Sequence, residues 1–353
     1  MSGSSLDGLD VVYVQLHVSS GKWEYEIIQT SCHPYTGSWQ QRLAGAPDLS
    51  AREYQLLHTE YGHYLGQQVN QFIESSGLHY QVQLIVSHGH TSFHLPGQGM
   101  TAQLGDGAAV AAETGINVVS DLRAMDLALG GQGAPIVPIG EKLLWNGYEW
   151  FLNLGGIANI SRATPSFSAF DVCSANRVLN RLSEQAGRSY DEGGALAAGG
   201  TVDITLLDRL NALPYYAEPY PKSLANEFGT DIVYPIVEAA GLPVSDALRT
   251  YVEHIAIQIS RAVEVLGGAA AQKMLVTGGG AHNTFLIDRL KTLLTPLGIE
   301  VVIPDAALID YKEALVMALI GVLRWREENN VLASVTGARR NSIGGAVWIG
   351  QEG

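Results

Sequence analysis

Three short glycine loops, each beside a β-like run, constrain this chain more than any other feature. "SGSSLDGLD" (2–10) leads into the β-branched and aromatic run "VVYVQLHV" (11–18). "LNLGGIANIS" (152–161) carries Gly-Gly between two apolar runs, and "KMLVTGGGAHN" (273–283) is a run that ends in three glycines. Glycine lets the backbone bend until successive N–H groups converge on one anion, and it puts no Cβ where a ligand must come close. Gly-Gly between two strand-like runs also reads simply as a hairpin turn. The third loop is the more telling, because a strand end that opens a helix is a common place for ligand contact.

The rest of the chain supplies strands and helices to carry these loops. Tyr54, Leu57, Tyr61, Leu65, Val69 and Phe72 recur at steps of three and four, which predicts an amphipathic helix over 51–76. Leu248, Tyr251, Ile255, Ile259, Val263 and Leu266 mark a second helix over 247–267, and a third is expected over 308–327. "VQLIVSHGHTSFH" (82–94) reads as a buried strand running into a polar loop, and "GINVVSDLR" (115–123) repeats that shape. "WFLNLGGIANIS" (150–161) reads as a tight hairpin. "SAFDVCSANRVLNRLSEQAG" (168–187) reads as strand, polar loop, then a helix with Val178, Leu179 and Leu182 on one face. "GIEVVIP" (298–304) is a further strand. Strands alternating with helices give the α/β class.

At 353 residues the chain is too long for one ordinary core, so two domains are expected. The Gly- and Pro-rich "GGQGAP" (130–135) is the best candidate for a hinge, which divides the chain into 1–135 and 136–353. Glycine-tipped hairpins at 3–10 and 154–157 open the two halves and hint at an internal duplication.

Hydrophobic residues make up 46% and charged residues 16%, a globular composition. The net charge of −14 disfavours nucleic acid, which needs clustered Lys and Arg. It also works against phosphate ligands, so any nucleotide must be held by local devices: backbone N–H groups, a few basic residues and a divalent cation. No apolar run approaches the ~20 residues of a membrane helix, and no basic segment leads into an apolar signal core. Two cysteines, Cys32 and Cys173, argue against a disulfide framework and fit a reducing cytoplasm. Neither the G-x-x-x-x-G-K-[ST] phosphate loop nor the G-x-G-x-x-G dinucleotide fingerprint occurs. A nucleotide would therefore bind where several loops from two domains converge. His88 and His90 lie two apart, so on a strand both would face one side, as a zinc pair does; no Cys or further His supports that ligand set.

In order along the chain, "MSGSSLDGLD", "AQLGDGAAVAAETGINVVSDLR" with "GGQGAPIVP", "NLGGIANIS", "FDVCSAN", "YPKSLANEF", "GGGAHN", "KEA" (312–314) and "SVTGARRNSIGGA" resemble the anhydro-N-acetylmuramic acid kinases of the sugar kinase/Hsp70/actin superfamily nearly end to end. The resemblance implies two actin-like (ribonuclease H-like) domains with ATP in the cleft between them. It implies that water opens the 1,6-anhydro bridge at C1 while O6 takes the γ-phosphoryl group of ATP, giving N-acetylmuramic acid 6-phosphate in cell-wall recycling. It makes Asp171 the base that takes the water's proton; alone, this Asp would read as a loop or N-cap residue. Gly3, Ser4, Ser5, Leu6, Asp7, Gly8, Leu9 and Asp10 match the ATP-binding stretch. Asp7 is placed as a Mg²⁺ ligand against the competing reading of an Asx-turn beside Gly8. Gly155, Gly156, Gly278, Gly279 and Gly280 would approach phosphates and nucleoside. His90, Thr91, Arg123, Asn176 and Glu313 are the expected sugar contacts, Arg123 because its fork suits the lactyl carboxylate. The family suggests a homodimer.

Three places depart from the family pattern. D-T-G-P-x-N is here Asp171-Val172-Cys173-Ser174-Ala175-Asn176, and K-S-x-G-R-E is Lys222-Ser223-Leu224-Ala225-Asn226-Glu227, where Asn226 replaces an arginine. Family members also place a strand before the first glycine loop, where this chain has Met1, so the first strand of domain 1 is expected to be missing from this chain. The departures leave two alternatives: a kinase of another sugar, or a non-catalytic actin-like protein that binds nucleotide or muropeptide.

Overall fold

The computed structural model describes residues 1–353 except 4–5, 164–166, 221, 226, 268–270 and 351–353. The chain forms two compact units, residues 1–145 with 311–353 and residues 146–310.

The first unit opens with a long antiparallel hairpin, β1 (Gly8–Ser19) and β2 (Lys22–Pro34), paired from Gly8↔Pro34 to Ser19↔Lys22 with a register shift after Tyr13 that skips Ile28. Its two-residue turn has φ 51° at Ser20 and 79° at Gly21, the pair of positive values that lets a turn follow the twist of the strands. On the other side of β1, Ser2 bridges Leu9, and the Asp10 N–H donates to Met1 O at 2.9 Å. The helix Ala51–Ser75 starts at a capping box, Ser50 with Glu53, and buries Leu57, Tyr61, Leu65 and Phe72 as its periodicity predicts.

The run 82–94, expected as a buried strand leading into a polar loop, instead holds two strands in different sheets. β3 (Ile85–Val86) lies parallel to β6 (Val118–Ser120), whereas β4 (His90–Leu95) pairs with β5 (Met100–Leu104). The break falls at Gly89, whose φ of +71° turns the chain; a Cβ there would meet Leu104 O at 2.4 Å. His88 and His90 therefore do not share a strand face, which removes the geometric basis for a zinc pair. Among the described residues no cluster of three or more His, Cys, Asp or Glu could hold a metal.

The second unit holds one five-stranded sheet in the order β11-β10-β7-β8-β9. β7 (Trp150–Leu154), β8 (Ile157–Arg162) and β9 (Ser168–Ser174) form an antiparallel meander, and β10 (Gln272–Thr277) and β11 (Ile299–Val302) add in parallel beyond β7. Counted from β7, the order is 3-2-1-4-5 with the second strand reversed, the ribonuclease H-like arrangement that the resemblance implies. Leu152, Leu154, Ile160 and Val172 share its core with the helix Val244–Leu266, whose expected stripe Leu248, Tyr251, Ile255, Ile259, Val263 and Leu266 is wholly buried.

The chain re-enters the first unit within the helix Ala306–Trp325, and β12 (Ala346–Trp348) closes antiparallel on β6. The sequence division at 135/136 therefore differs from the compact units. The helix Pro138–Leu144 belongs to the first unit because Lys312 Nζ reaches Glu141 Oε1 at 2.7 Å in a buried ion pair and Gly140 packs on Val316. "GGQGAP" is likewise no boundary. The Gly133 N–H donates to the buried Asp126 Oδ2 at 2.8 Å, Gln132 N–H to Thr336 O at 2.9 Å, and Gly133 O accepts from Arg123 at 2.7 Å. Glycine marks where a chain can bend; the bonds its backbone makes decide whether it moves. Among the described residues no helix is long and apolar enough to cross a membrane.

Candidate active site

In the second unit, Asp171 lies on β9 with each carboxylate oxygen held by a donor among the described residues. Asn159 Nδ2 reaches Oδ1 and the Leu224 N–H reaches Oδ2, both at 2.8 Å. The strand's alternation explains its exposure: Phe170 and Val172 are buried in the core, and Asp171 between them is half-buried on the other face. Lys222 and Leu224 lie along it, with Asp171 N–H donating to Lys222 O and Tyr215 Oη donating to Asp171 O. Lys222 Nζ sits 4.5 Å over the Tyr215 ring and donates to Tyr215 O, and burial lowers its ammonium below the usual lysine range. Burial, then the Asp171 charge, push the Tyr215 hydroxyl up.

The two glycine loops of this unit meet around Asn176, the first residue of the helix Asn176–Glu184. Asn176 N–H donates to Gly155 O at 3.1 Å, its Nδ2 to Leu154 O at 2.9 Å, and Ala175 N–H to Gly156 O at 2.8 Å. The side-chain amide expected on the sugar thus ties the β7–β8 tip to the helix start. In the loop after β10, Gly278 has φ +82°, and a Cβ there would meet Asn153 Oδ1 at 2.5 Å; at Gly280 it would meet Leu154 Cβ at 2.7 Å. At Gly279 the nearest atom is Asn176 Nδ2, at 3.7 Å. Gly278 and Gly280 are thus required by packing, and Gly279 is the one with room beside its backbone.

In the first unit, Ser4 and Ser5 lie outside the described residues. Asp7 Oδ1 accepts from the Gly8 N–H at 3.0 Å, a bond to the next residue and not the two-residues-on bond of an Asx-turn. Gly8 sits against β2, where a Cβ would meet Cys32 Sγ and His33 O at 2.8 Å. Burial and a hydrogen bond to Asp10 push the Cys32 thiol up to about 11, so it stays protonated. A hydroxyl chain runs from Tyr61 to Tyr35 (2.5 Å), from Tyr35 to Ser2 (2.8 Å) and from Ser2 to His90 Nδ1 (3.3 Å). Run in one direction, it makes Nδ1 the acceptor and puts the His90 proton on Nε2; burial lowers His90 below its ordinary range. Thr91, next on β4, is exposed and accepts from Gln103 Nε2 at 3.4 Å.

Arg123 is neither at a strand end nor in a surface salt bridge. It precedes the helix Ala124–Ala128, donates Nε–H to His88 Nε2 at 2.9 Å and Nη1–H to Gly133 O at 2.7 Å. His88 Nδ1 donates to Gly89 O at 3.0 Å, and burial followed by the Arg123 charge bring this histidine down to about 3. It is a neutral acceptor that aims the guanidinium. Glu313 is exposed on the helix Ala306–Trp325, close enough for its charge to act on Arg123. Arg123, His88, His90 and Glu313 are thus brought to one region of the first unit.

Sequence reasoning missed His88 as the partner of Arg123, Asp126 as the anchor of the glycine segment, and Asn153 and Asn159 beside Asp171. Only the asparagines left a signal, and it falls one residue short: a tip of Gly155 and Gly156 alone would set 153 opposite 158, whereas Asn153 pairs with Asn159.

The chain matches the family model "Anhydro-N-acetylmuramic acid kinase" over residues 1–350. It is 37% identical to an anhydro-N-acetylmuramic acid kinase of Gloeobacter violaceus, covering 96% of this chain and 95% of the relative. It is 35% identical to one of Shewanella amazonensis (98% and 96% covered) and 32% identical to one of Vibrio parahaemolyticus (99% and 96%). The altered loops at 172–175 and 225–226 thus sit inside a full-length match, and the chain belongs to the anhydro-N-acetylmuramic acid kinase family.

Proposed function

We propose that the protein is a carbohydrate kinase that opens 1,6-anhydro-N-acetylmuramic acid with water and phosphorylates O6 from ATP. The observation that carries this is Asp171: a half-buried carboxylate with both oxygens fixed by neutral donors and no cation paired to either by a described hydrogen bond. Held so, it is oriented to accept a water proton. The water oxygen bonds to C1 as its proton passes to Asp171, the C1–O6 bond breaks, and O6 bonds to the γ-phosphorus as ADP leaves. Gly155, Gly156 and the open backbone at Gly279 suit the phosphates and nucleoside, and the loop 3–10 suits the remaining phosphate contacts. Arg123, aimed by His88, with His90 Nε2–H, Thr91 and Glu313, suits the sugar's carboxylate and hydroxyls; Asn176 supports the loops around it. Mg²⁺ takes one or two carboxylates with phosphate oxygens and water; the Asp7 carboxylate is a group of the kind that would hold it, and the ion would neutralise phosphate charge. A cytoplasmic homodimer is part of the same proposal.

The test is turnover with Mg-ATP and the anhydro-sugar in ¹⁸O-water. A 6-phosphate carrying ¹⁸O at C1 is expected. Asp171→Asn should lower kcat by at least about 100-fold while ATP still binds. Wild-type turnover by that variant would remove Asp171 from the chemistry.

A further inference from the structure

Asn153, Asn159 and Asp171 stand directly opposite one another on the adjacent strands β7, β8 and β9. Asn153 Nδ2 donates to Asn159 Oδ1 at 3.1 Å, and Asn159 Nδ2 donates to Asp171 Oδ1 at 2.8 Å. The direction of this relay is fixed from its carboxylate end. An ionised carboxylate only accepts, so Asn159 must present its NH₂ to Asp171 and its carbonyl to Asn153. Asn153 in turn points its own carbonyl at Gly278, the residue whose missing Cβ makes room for it.

The alignment depends on a bulge. Ile157 and Ala158 oppose Ser174 and Cys173, but Asn159 opposes Asp171, so Val172 is the extra residue on β9. In unbroken register Asn159 would face Val172, and Asp171 would face Ile160. One inserted residue brings the asparagine and the aspartate to the same side, the re-aiming that a bulge accomplishes. Val172 itself stays buried in the core, 3% exposed.

We infer that Asn159 is a positioning residue for Asp171, kept in its donating orientation by Asn153. The inference rests on the proposal that Asp171 is the base. Asn159 fixes the direction of Oδ1, and the bond from the Asn153 amide to its carbonyl keeps Asn159 from turning that carbonyl toward the carboxylate. The titratable groups that face Asp171 among the described residues are Tyr215 and Lys222, from the segment lying along β9, and Cys173 on its own strand. Burial pushes the Tyr215 and Cys173 protons to higher pH, so neither competes with the carboxylate on the acidic side.

The experiment is the pH dependence of kcat/KM for the full chain with Mg-ATP and the anhydro-sugar. It compares wild type, Asn159→Leu, Asn159→Asp and Asp171→Asn, with ATP binding and thermal melting as folding controls. Asn159→Leu removes the donor at similar size. It should lower kcat by about 10- to 100-fold, the factor that a hydrogen bond to a charged group carries, and move the acidic limb to higher pH. Asn159→Asp sets a second carboxylate against the first and should move the limb further. Where either variant fails to fold, Asn153→Leu, which frees the Asn159 amide to flip, should give a smaller shift in the same direction. A merely structural asparagine would change melting and leave the limb in place, and that result overturns the inference. An inactive Asp171→Asn beside unmoved limbs in the Asn variants sinks the positioning role alone; an active Asp171→Asn sinks the base assignment beneath it.

Discussion

His254 shows how a single residue ties this fold to pH. It is fully buried; its Nδ1–H donates to Asn211 Oδ1 at 2.8 Å, and its Nε2 accepts from Tyr216 Oη at 2.9 Å. Burial, then the Arg261 charge, hold it at about 3, and His88 lies at about the same value in the other unit. An unfolded histidine titrates near 6.5, so between the two values the unfolded chain binds protons that the native chain does not. The stability contributed by these neutral rings is complete above about pH 6.5 and falls by about 1.4 kcal/mol per pH unit per histidine as pH drops toward 3. Urea midpoints from pH 7 to 4.5 should fall for the wild type and fall less steeply for His254→Gln. Parallel curves would show that His254 is not held neutral. Nothing in the sequence marks this residue, since a histidine within an apolar helix stripe also suits a half-exposed edge. Its environment is assembled from three segments that meet only in the fold.

At the scale of elements, the turn after β10 separates structural glycines from an open one. Gly278→Ala forces a side chain into positive φ and onto Asn153 and Leu154, and should destabilise the protein by about 1–3 kcal/mol or more. Gly279→Ala meets only Asn176 and should leave melting nearly unchanged while weakening ATP binding, because the methyl group fills the side left open. Thermal melts with and without Mg-ATP separate the two, and equal stability for both variants would refute the distinction. The hairpin tip, the helix stripes and the strand-to-helix glycine turn were legible in sequence because each is written in neighbours two to four residues apart. β2 escaped notice: "KWEYEIIQTSCHP" alternates mostly exposed and half-buried positions and buries only Trp23 deeply, so its apolar signal is weak. The polar half of 82–94 reads as a loop because Ser87 to Ser92 carry no apolar signal, yet His90–Leu95 pairs with Met100–Leu104 as a strand.

For the molecule as a whole, the second unit is one continuous stretch with its own core, from Trp150 on β7 to Ile309 near the chain's exit. A fragment of residues 146–310 should therefore fold alone and melt cooperatively, as a domain with a self-contained core does. Circular dichroism of the fragment checks this; a featureless melt would mean that the unit depends on the rest of the chain. The sequence by itself determined the α/β class, the faces of the main helices and, through the order of its motifs, the family. Those features are local or depend only on which residues occur in which order. Tertiary structure decided that "GGQGAP" is fastened by Asp126, Arg123 and Thr336 rather than hinged, and that the first unit reclaims residues 311–353 through Lys312 and Glu141. It also set Asn159 opposite Asp171. Each of these depends on strand register or on a bond between residues distant in sequence. A one-residue bulge at Val172 changes which side chains meet without changing any local preference that the sequence displays.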